Sequence, residues 1–224
     1  MPLSTTVPTE RFHAAAHPGP QLPVIHVVDD EPCVRTALGR LLGADGCYTV
    51  HTHACADDFL AAYDPHVHAC AILDVGLPGL DGVALQEQLL QRGHAIPIVF
   101  LSGCADVPVC AEALRRGAVD FLTKPVDESL LFDAVARALA RDSSLRMQRE
   151  LQSQTAERMA SLTPREREVL AHVMDGRLNK QIAGDIGTAE KTVKVHRARA
   201  MEKMRVRSVA ELVRLVERGR LPVF

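Results

Sequence analysis

Short apolar runs alternate with amphipathic stretches along the first 141 residues. The runs are VIHVVD (24–29), YTVHTH (48–53), ACAILDV (69–75), IPIVFLSG (96–103) and AVDFLTKP (118–125). They read as apolar throughout rather than alternating, the pattern of strands buried on both faces of a parallel sheet. Each is followed by a stretch of helical character: PCVRTALGRLLGA (32–44), ADDFLAAYD (56–64), GVALQEQLLQRG (82–93), VPVCAEALRRG (107–117) and DESLLFDAVARALAR (127–141). Gly93 and Gly117 end two of these helices, as a residue free to adopt positive φ does. Five strand–helix units in succession predict an α/β fold, a doubly wound parallel (βα)5 sheet covered on both faces.

The pattern changes after Arg141. DSSLRMQRELQSQTAERMA (142–160) is rich in Gln, Arg and Glu, with Leu151, Thr155 and Met159 four residues apart. It predicts a mostly helical linker with a thin apolar stripe. From Ser161 to Phe224 the pattern is all helix, in four pieces. Thr163 as N-cap, Pro164 at the first helical position and Glu166 two further on form a capping box. That helix runs to about Met174 and stops at Gly176. NKQIAGDIG gives a short second helix stopped by Gly187, within which Gly184 costs about 1 kcal/mol against a good helix former. Thr188 is the expected cap of a third helix, AEKTVKVHRARAMEKM, and Ser208 with Glu211 of a fourth, VAELVRLVE. The divisions are a disordered tail over 1–22, an α/β domain over 23–141, the linker over 142–160 and a small all-α domain over 161–224.

Charge supports two domains with different partners. Residues 161–224 hold 14 Lys+Arg and 8 Asp+Glu, whereas the other 160 hold 12 and 20. A basic back end behind an acidic front makes the back the candidate for a polyanion. No apolar run approaches the roughly 18 residues that cross a bilayer. MPLSTTVPTERFHAAAHPGP lacks the basic and apolar regions of a secretory signal, so a cytoplasmic, membrane-free protein is expected. The six cysteines form no CxxC pair, and reduced thiols are the expectation.

Ligands of a doubly wound sheet sit beyond the carboxyl ends of its strands. Asp29 and Asp30 follow the first strand, Asp74 closes the third, Ser102 ends the fourth and Lys124 the fifth. Clustered carboxylates suit a small hard cation such as Mg²⁺. A hydroxyl and an ammonium suit a tetrahedral anion. The set describes a place to move a phosphoryl group, with Asp74 as nucleophile.

VVDDE, LDVGLPGLDG, FLSG and DFLTKP, taken together, resemble the motif set of two-component receiver domains, over about residues 24–141. The resemblance implies a flavodoxin-like fold with Asp74 as the phosphorylated aspartate. It implies an acid pocket of Asp29 and Asp30, with Mg²⁺ (or Mn²⁺) held by Asp30, Asp74 and the carbonyl of Gly76. It also implies phosphoryl contacts from Ser102 and Lys124, a switch aromatic at Phe121 and a cis bond at Lys124–Pro125. Leu77 and Ser102 stand where Met and Thr are more frequent, and neither change removes a chemical role.

In the basic end, Ala183 is small enough for two helices to cross, Gly187 permits a turn at positive φ, and Val193 packs back on Ala183. That spacing points to a helix-turn-helix. Seven Lys or Arg lie between Thr188 and Arg207, against Glu190 and Glu202. The segment over about 160–220 resembles the LuxR-type DNA-binding domain, and the whole chain the FixJ-like branch of the NarL/FixJ response regulators. This implies that Lys191 to Arg199 face the major groove. Lys194 and Val195 would lie near base edges, and Thr192, His196 and Arg197 would contact phosphate or neighbouring bases. The implied protein is a non-enzymatic transcription factor, apart from its own phosphorylation and dephosphorylation. A sensor histidine kinase would switch it, it would dimerise through 107–122 on phosphorylation, and it would bind double-stranded DNA and RNA polymerase. The rival of an aspartate-nucleophile phosphatase needs a second acid two residues after Asp74, where Gly76 stands. A regulator governed by a small molecule or thiol oxidation has no need of the complete acid set.

Overall fold

The computed structural model describes residues 22–103 and 107–219. Apart from Leu22, the expected N-terminal tail lies outside the described residues. The strands are β1 (Val24–Val28), β2 (Thr49–His53), β3 (Ala69–Asp74), β4 (Ile98–Ser102) and β5 (Asp120–Thr123). The first domain's helices are α1 (Pro32–Gly43), α2 (Ala56–Ala62), α3 (Gly82–Gln91), α4 (Val107–Arg115) and α5 (Glu128–Ala160). Those that follow are α6 (Pro164–Met174), α7 (Asn179–Asp185), α8 (Glu190–Lys203) and α9 (Val209–Gly219).

The five strands are parallel in the order β2-β1-β3-β4-β5. Successive side chains on a strand point to opposite faces, so each strand feeds two cores. Ile25, Val27, Ile72, Val99 and Leu101 pack under α1 and α5 against Leu38, Leu131 and Val135. Val28, Ala71, Leu73 and Phe100 pack on the other face against Phe59, Leu85, Leu89 and Ala113 of α2, α3 and α4. Burial on both faces explains why β1, β3 and β4 are buried at every residue. YTVHTH departs from the expectation of apolar strands, because β2 lies at the sheet's edge and leaves Thr49, His51 and Thr52 exposed.

Register sets the rim. Val28 pairs with Leu73, Asp74 with Leu101 and Ser102 with Thr123. The residues at or just past those pairs therefore emerge side by side. Gly82 opens α3 against this rim. Its amide donates to the Val75 carbonyl at 3.1 Å, and a Cβ there would lie 2.3 Å from the Asp74 carbonyl oxygen. Only glycine lets α3 start this close to β3. Asp81 accepts from the Ala84 amide at 2.7 Å and so caps α3.

On the α2 face, His26 and His53 are buried, with Nδ1 and Nε2 3.0 Å apart and Phe59 edge-on to both rings. Burial, and then the neighbouring His53 and His51, lower the His26 pKa from 6.5 to about 4. Burial also pushes the Cys70 thiol up to about 12, leaving it an inert core residue.

Helix α5 has 33 residues, about 50 Å at 1.5 Å per residue. It runs without a break through the segment set apart in sequence as a linker. The Asp127 carboxylate caps its start, accepting from the Leu130 amide. Where α5 leaves the sheet, buried Asp142 takes the His68 Nδ1 at 2.7 Å and the Ala69 amide at 3.2 Å. Arg146, one turn on, donates to the carbonyls of Pro65 and His66. Further along, Met159 packs into the second domain's core with Leu162, Leu170, Met204, Leu212 and Val216. Among the described residues, no helix is long and apolar enough to cross a membrane.

The second domain follows the sequence closely. Thr163 Oγ1 accepts from the Glu166 amide, Glu166 Oε2 from the Thr163 amide, and Lys203 Nζ of α8 reaches the same Oε2 at 2.6 Å. The Lys203 ammonium, with the Thr163 amide, holds the Glu166 carboxyl below the usual carboxylate range. Val193 packs with Ile182 and Ala183, and with Val169 and Val173 of α6. Thr188 does not cap α8: helix α8 begins at Glu190 behind Ala189, which offers no side-chain cap. Gly187, at φ +67°, folds the chain so that the Thr188 amide returns to the Ala183 carbonyl, and Thr188 finishes α7 instead.

Two glycines give opposite expectations. Gly82→Ala forces backbone against backbone and should lose about 2 kcal/mol or more in urea unfolding. A Cβ at helical, exposed Gly184 meets open space, so Gly184→Ala should gain about 0.5–1 kcal/mol. The histidine pair predicts acid sensitivity. Between pH 6.5 and about 4 the unfolded chain protonates His26 and the folded chain does not. Stability should therefore be complete above 6.5 and fall by about 3 kcal/mol as pH drops to 4. His26→Leu should flatten that slope in unfolding curves collected across the range.

Candidate functional site

The rim brings Asp29, Asp74, Ser102 and Lys124 together from four strands. The Lys124 Nζ stands 2.7 Å from Asp29 Oδ2 and 2.9 Å from Asp74 Oδ1. It also reaches Glu31 Oε1 at 3.2 Å. Asp29 is 1% exposed and Asp74 6%. Two carboxylates this buried repel each other and need a cation between them. Burial by itself would lower the lysine's pKa. Hydrogen bonds to Asp29, Asp74 and Glu31 overcome it and hold the group well above the ordinary lysine range, so the ammonium is permanent.

Each carboxylate is oriented by its second oxygen. Asp74 Oδ2 accepts from the Gly76 amide at 2.8 Å, and Asp29 Oδ1 from the Glu31 amide at 2.9 Å. Arg35 Nη1 donates to the Asp29 carbonyl at 2.6 Å, tying α1 to the end of β1. A Cβ on Gly76 would sit 3.2 Å from Asp74 Oδ2, so glycine keeps that oxygen's surroundings open. Ser102 is buried beside the site, and its carbonyl takes the Lys124 amide at 2.7 Å. The Lys124–Pro125 bond is cis. Phe121, half-buried on β5, leans on Phe100 with ring centroids 6.2 Å apart.

The donors suit a small hard cation. Asp29 and Asp74 present one carboxylate oxygen each to a common centre, and the Lys124 ammonium sits there as a stand-in cation. Asp30 stands exposed next to Asp29. Among the described residues no three acid, histidine or cysteine side chains are already gathered as a metal-holding set. The acids expected from the sequence thus converge in part, two inside and one at the edge.

On α8, Val193 and Ala200 are buried while Lys191, Thr192, Lys194, Val195 and Arg199 are exposed. Val195 lies about 200° around the helix from Val193, so it points away from the core. Lys194 pairs with Glu190 at 2.9 Å, one turn back on an exposed face. Arg197 and His196 are half-buried. Arg197 Nη1 donates to Asn179 Oδ1 of α7 at 3.0 Å, which braces the two helices of the motif. Glu31, Arg35 and Asn179 were not singled out in the sequence. Glu31 alone had a signal, as the last letter of VVDDE.

The family described as response regulator receiver domain matches residues 25–136. Bacterial regulatory proteins of the luxR family match 160–216. The transcriptional regulatory protein FixJ of Azorhizobium caulinodans is 40% identical over 192 residues, 85% of this chain and 90% of its own. The low-resolution structure of the response regulator StyR is 45% identical, with a TM-score of 0.79 over 88% of this chain and 99% of its own. The full-length FixJ of B. japonicum is 35% identical and covers 88% and 97%, with a TM-score of 0.53. A receiver domain, a LuxR-type helix-turn-helix and relatives matched over both place this chain in the NarL/FixJ family of two-component response regulators, which control transcription.

Proposed function

We propose that Asp74 is the phosphoacceptor and that its phosphorylation drives dimerisation and sequence-specific DNA binding. The observation that carries the reading is the ammonium shared by the buried carboxylates Asp29 and Asp74 at the sheet's rim. An Asp74 oxygen attacks the phosphorus of a phosphohistidine on a sensor kinase. The N–P bond breaks, an acyl phosphate forms, and the histidine leaves as the free imidazole. Lys124 and Ser102 contact the new phosphoryl oxygens, the first by charge and the second by a hydrogen bond. Asp29, Asp30, Asp74 and the Gly76 carbonyl would hold Mg²⁺ or Mn²⁺, which supplies positive charge to the transferring group when bound. In the self-dephosphorylation reaction, water attacks the same phosphorus, the Asp74–phosphorus bond breaks, and inorganic phosphate departs.

The switch is local. Ser102 moves toward the phosphoryl group, and Phe121, one strand over, turns further in against Phe100. That reshapes the face of α4 and β5, where Val107 and Leu114 are exposed apolar residues. Two receivers pairing there would place two α8 helices on a two-fold DNA site. Lys191, Thr192, Lys194, Val195 and Arg199 would enter the groove, with His196 and Arg197 at its edge. RNA polymerase is the further partner and the cytoplasm the setting.

Incubation of the full chain with Mg²⁺ and acetyl phosphate should add one phosphoryl group, about 80 Da by intact mass. It should also shift the protein to a dimer by size-exclusion chromatography. Asp74→Asn should do neither, and an adduct of equal yield on the variant refutes the assignment. Lys194→Ala should weaken specific binding by about 1–3 kcal/mol if the ammonium reads a base edge. An equal loss on random duplex DNA, by the same titration, makes it a phosphate contact instead.

A further inference from the structure

We infer that Glu31 is a positioning residue that receives the Lys124 ammonium when a divalent cation enters between Asp29 and Asp74. This rests on the metal site proposed above and adds a residue to it.

Each buried carboxylate has one oxygen committed elsewhere: Asp74 Oδ2 to the Gly76 amide and Asp29 Oδ1 to the Glu31 amide. The oxygens that remain are Asp29 Oδ2 and Asp74 Oδ1, and Lys124 holds both. A divalent cation held by Asp30, Asp74 and the Gly76 carbonyl, beside Asp29, draws on the Asp74 oxygen that Lys124 holds and repels the ammonium. Lys124 must then loosen its hold on the pair. Its side chain is only 17% exposed, so an ammonium stripped of partners there is costly. Glu31 is the third carboxylate already within its reach, at 3.2 Å, and its side chain is 56% exposed. Of the three carboxylates that Lys124 reaches, it is the most exposed.

Glu31 is also well anchored for this. Its amide is bonded to Asp29, its carbonyl accepts from the Arg35 amide at 3.1 Å, and Pro32 follows at the start of α1. The carboxylate therefore stays near the rim while the ammonium moves. Without it, Lys124 would cling to Asp29 and Asp74 and compete harder with the cation. Glu31 also adds negative field, which would favour any cation whether or not Lys124 takes part. Removing the lysine separates the two effects.

The test titrates Mn²⁺ into the full-length protein and counts free ion by electron paramagnetic resonance. Four proteins are compared: wild type, Glu31→Gln, Lys124→Ala and the double variant. Lys124→Gln replaces Lys124→Ala if the alanine variant does not fold. Coupling through Lys124 predicts that Glu31→Gln weakens Mn²⁺ binding about fivefold or more in the wild-type background, and less than about twofold without the lysine. Equal weakening in both backgrounds leaves the metal site standing and overturns the role of Glu31. No weakening in the wild-type background overturns it too. A wild type without saturable Mn²⁺ binding overturns the metal reading itself.

Discussion

The rim of the receiver depends on one lysine ammonium held between two buried carboxylates. Asp29 and Asp74 come from adjacent parallel strands whose register sets their ends side by side. Two carboxylates buried this close repel each other, and a cation between them offsets that repulsion. Lys124, delivered from β5 across β4, closes that circuit. The surrounding chain serves this arrangement. Gly82 lets α3 begin against the end of β3, the Gly76 amide turns Asp74, and Arg35 ties α1 to Asp29. A site held by a single side-chain cation is one whose charge balance changes when a phosphoryl group or a metal arrives, which is what a switch requires.

The link between the two domains is equally physical. Helix α5 buries Leu131, Val135 and Leu139 under the sheet and packs half-buried Met159 against the core of the DNA-binding domain. It is fixed where it leaves the receiver by Asp142 and Arg146, which bond the loop before β3 and the first residue of that strand. Near its far end, Arg158 reaches the Met204 carbonyl at the end of α8.

Much of this was legible in the sequence because the relevant forces are local or periodic. Apolar runs ending in Asp29, Asp74 and Ser102 gave the strands and their functional ends. Thr163–Glu166 gave a helix start, and Ala183, Gly187 and Val193 the helix-turn-helix. What was not legible depends on distance in sequence. Glu31 and Lys124 are 93 residues apart, and only the sheet brings them to 3.2 Å. Arg197 belongs to a basic run that reads as DNA-facing, yet it reaches back to Asn179. The continuity of α5 was hidden by a composition change, since a helix that leaves one core for another must become polar in between. Thr188 misled because a good capping residue sat one step too early, inside a glycine-directed turn. The buried pair of His26 and His53 carried no signal, since histidine in a strand is read as polar.

In the proposed switch, charge at Asp74 controls affinity at α8, across two domains. The direct measurement is the fluorescence anisotropy of a labelled duplex bearing the site selected by the phosphorylated protein. It is titrated with the full chain before and after phosphorylation by acetyl phosphate at fixed salt. Binding after phosphorylation should be tighter by about tenfold or more. Equal affinity for the duplex in both states refutes control of α8 by Asp74.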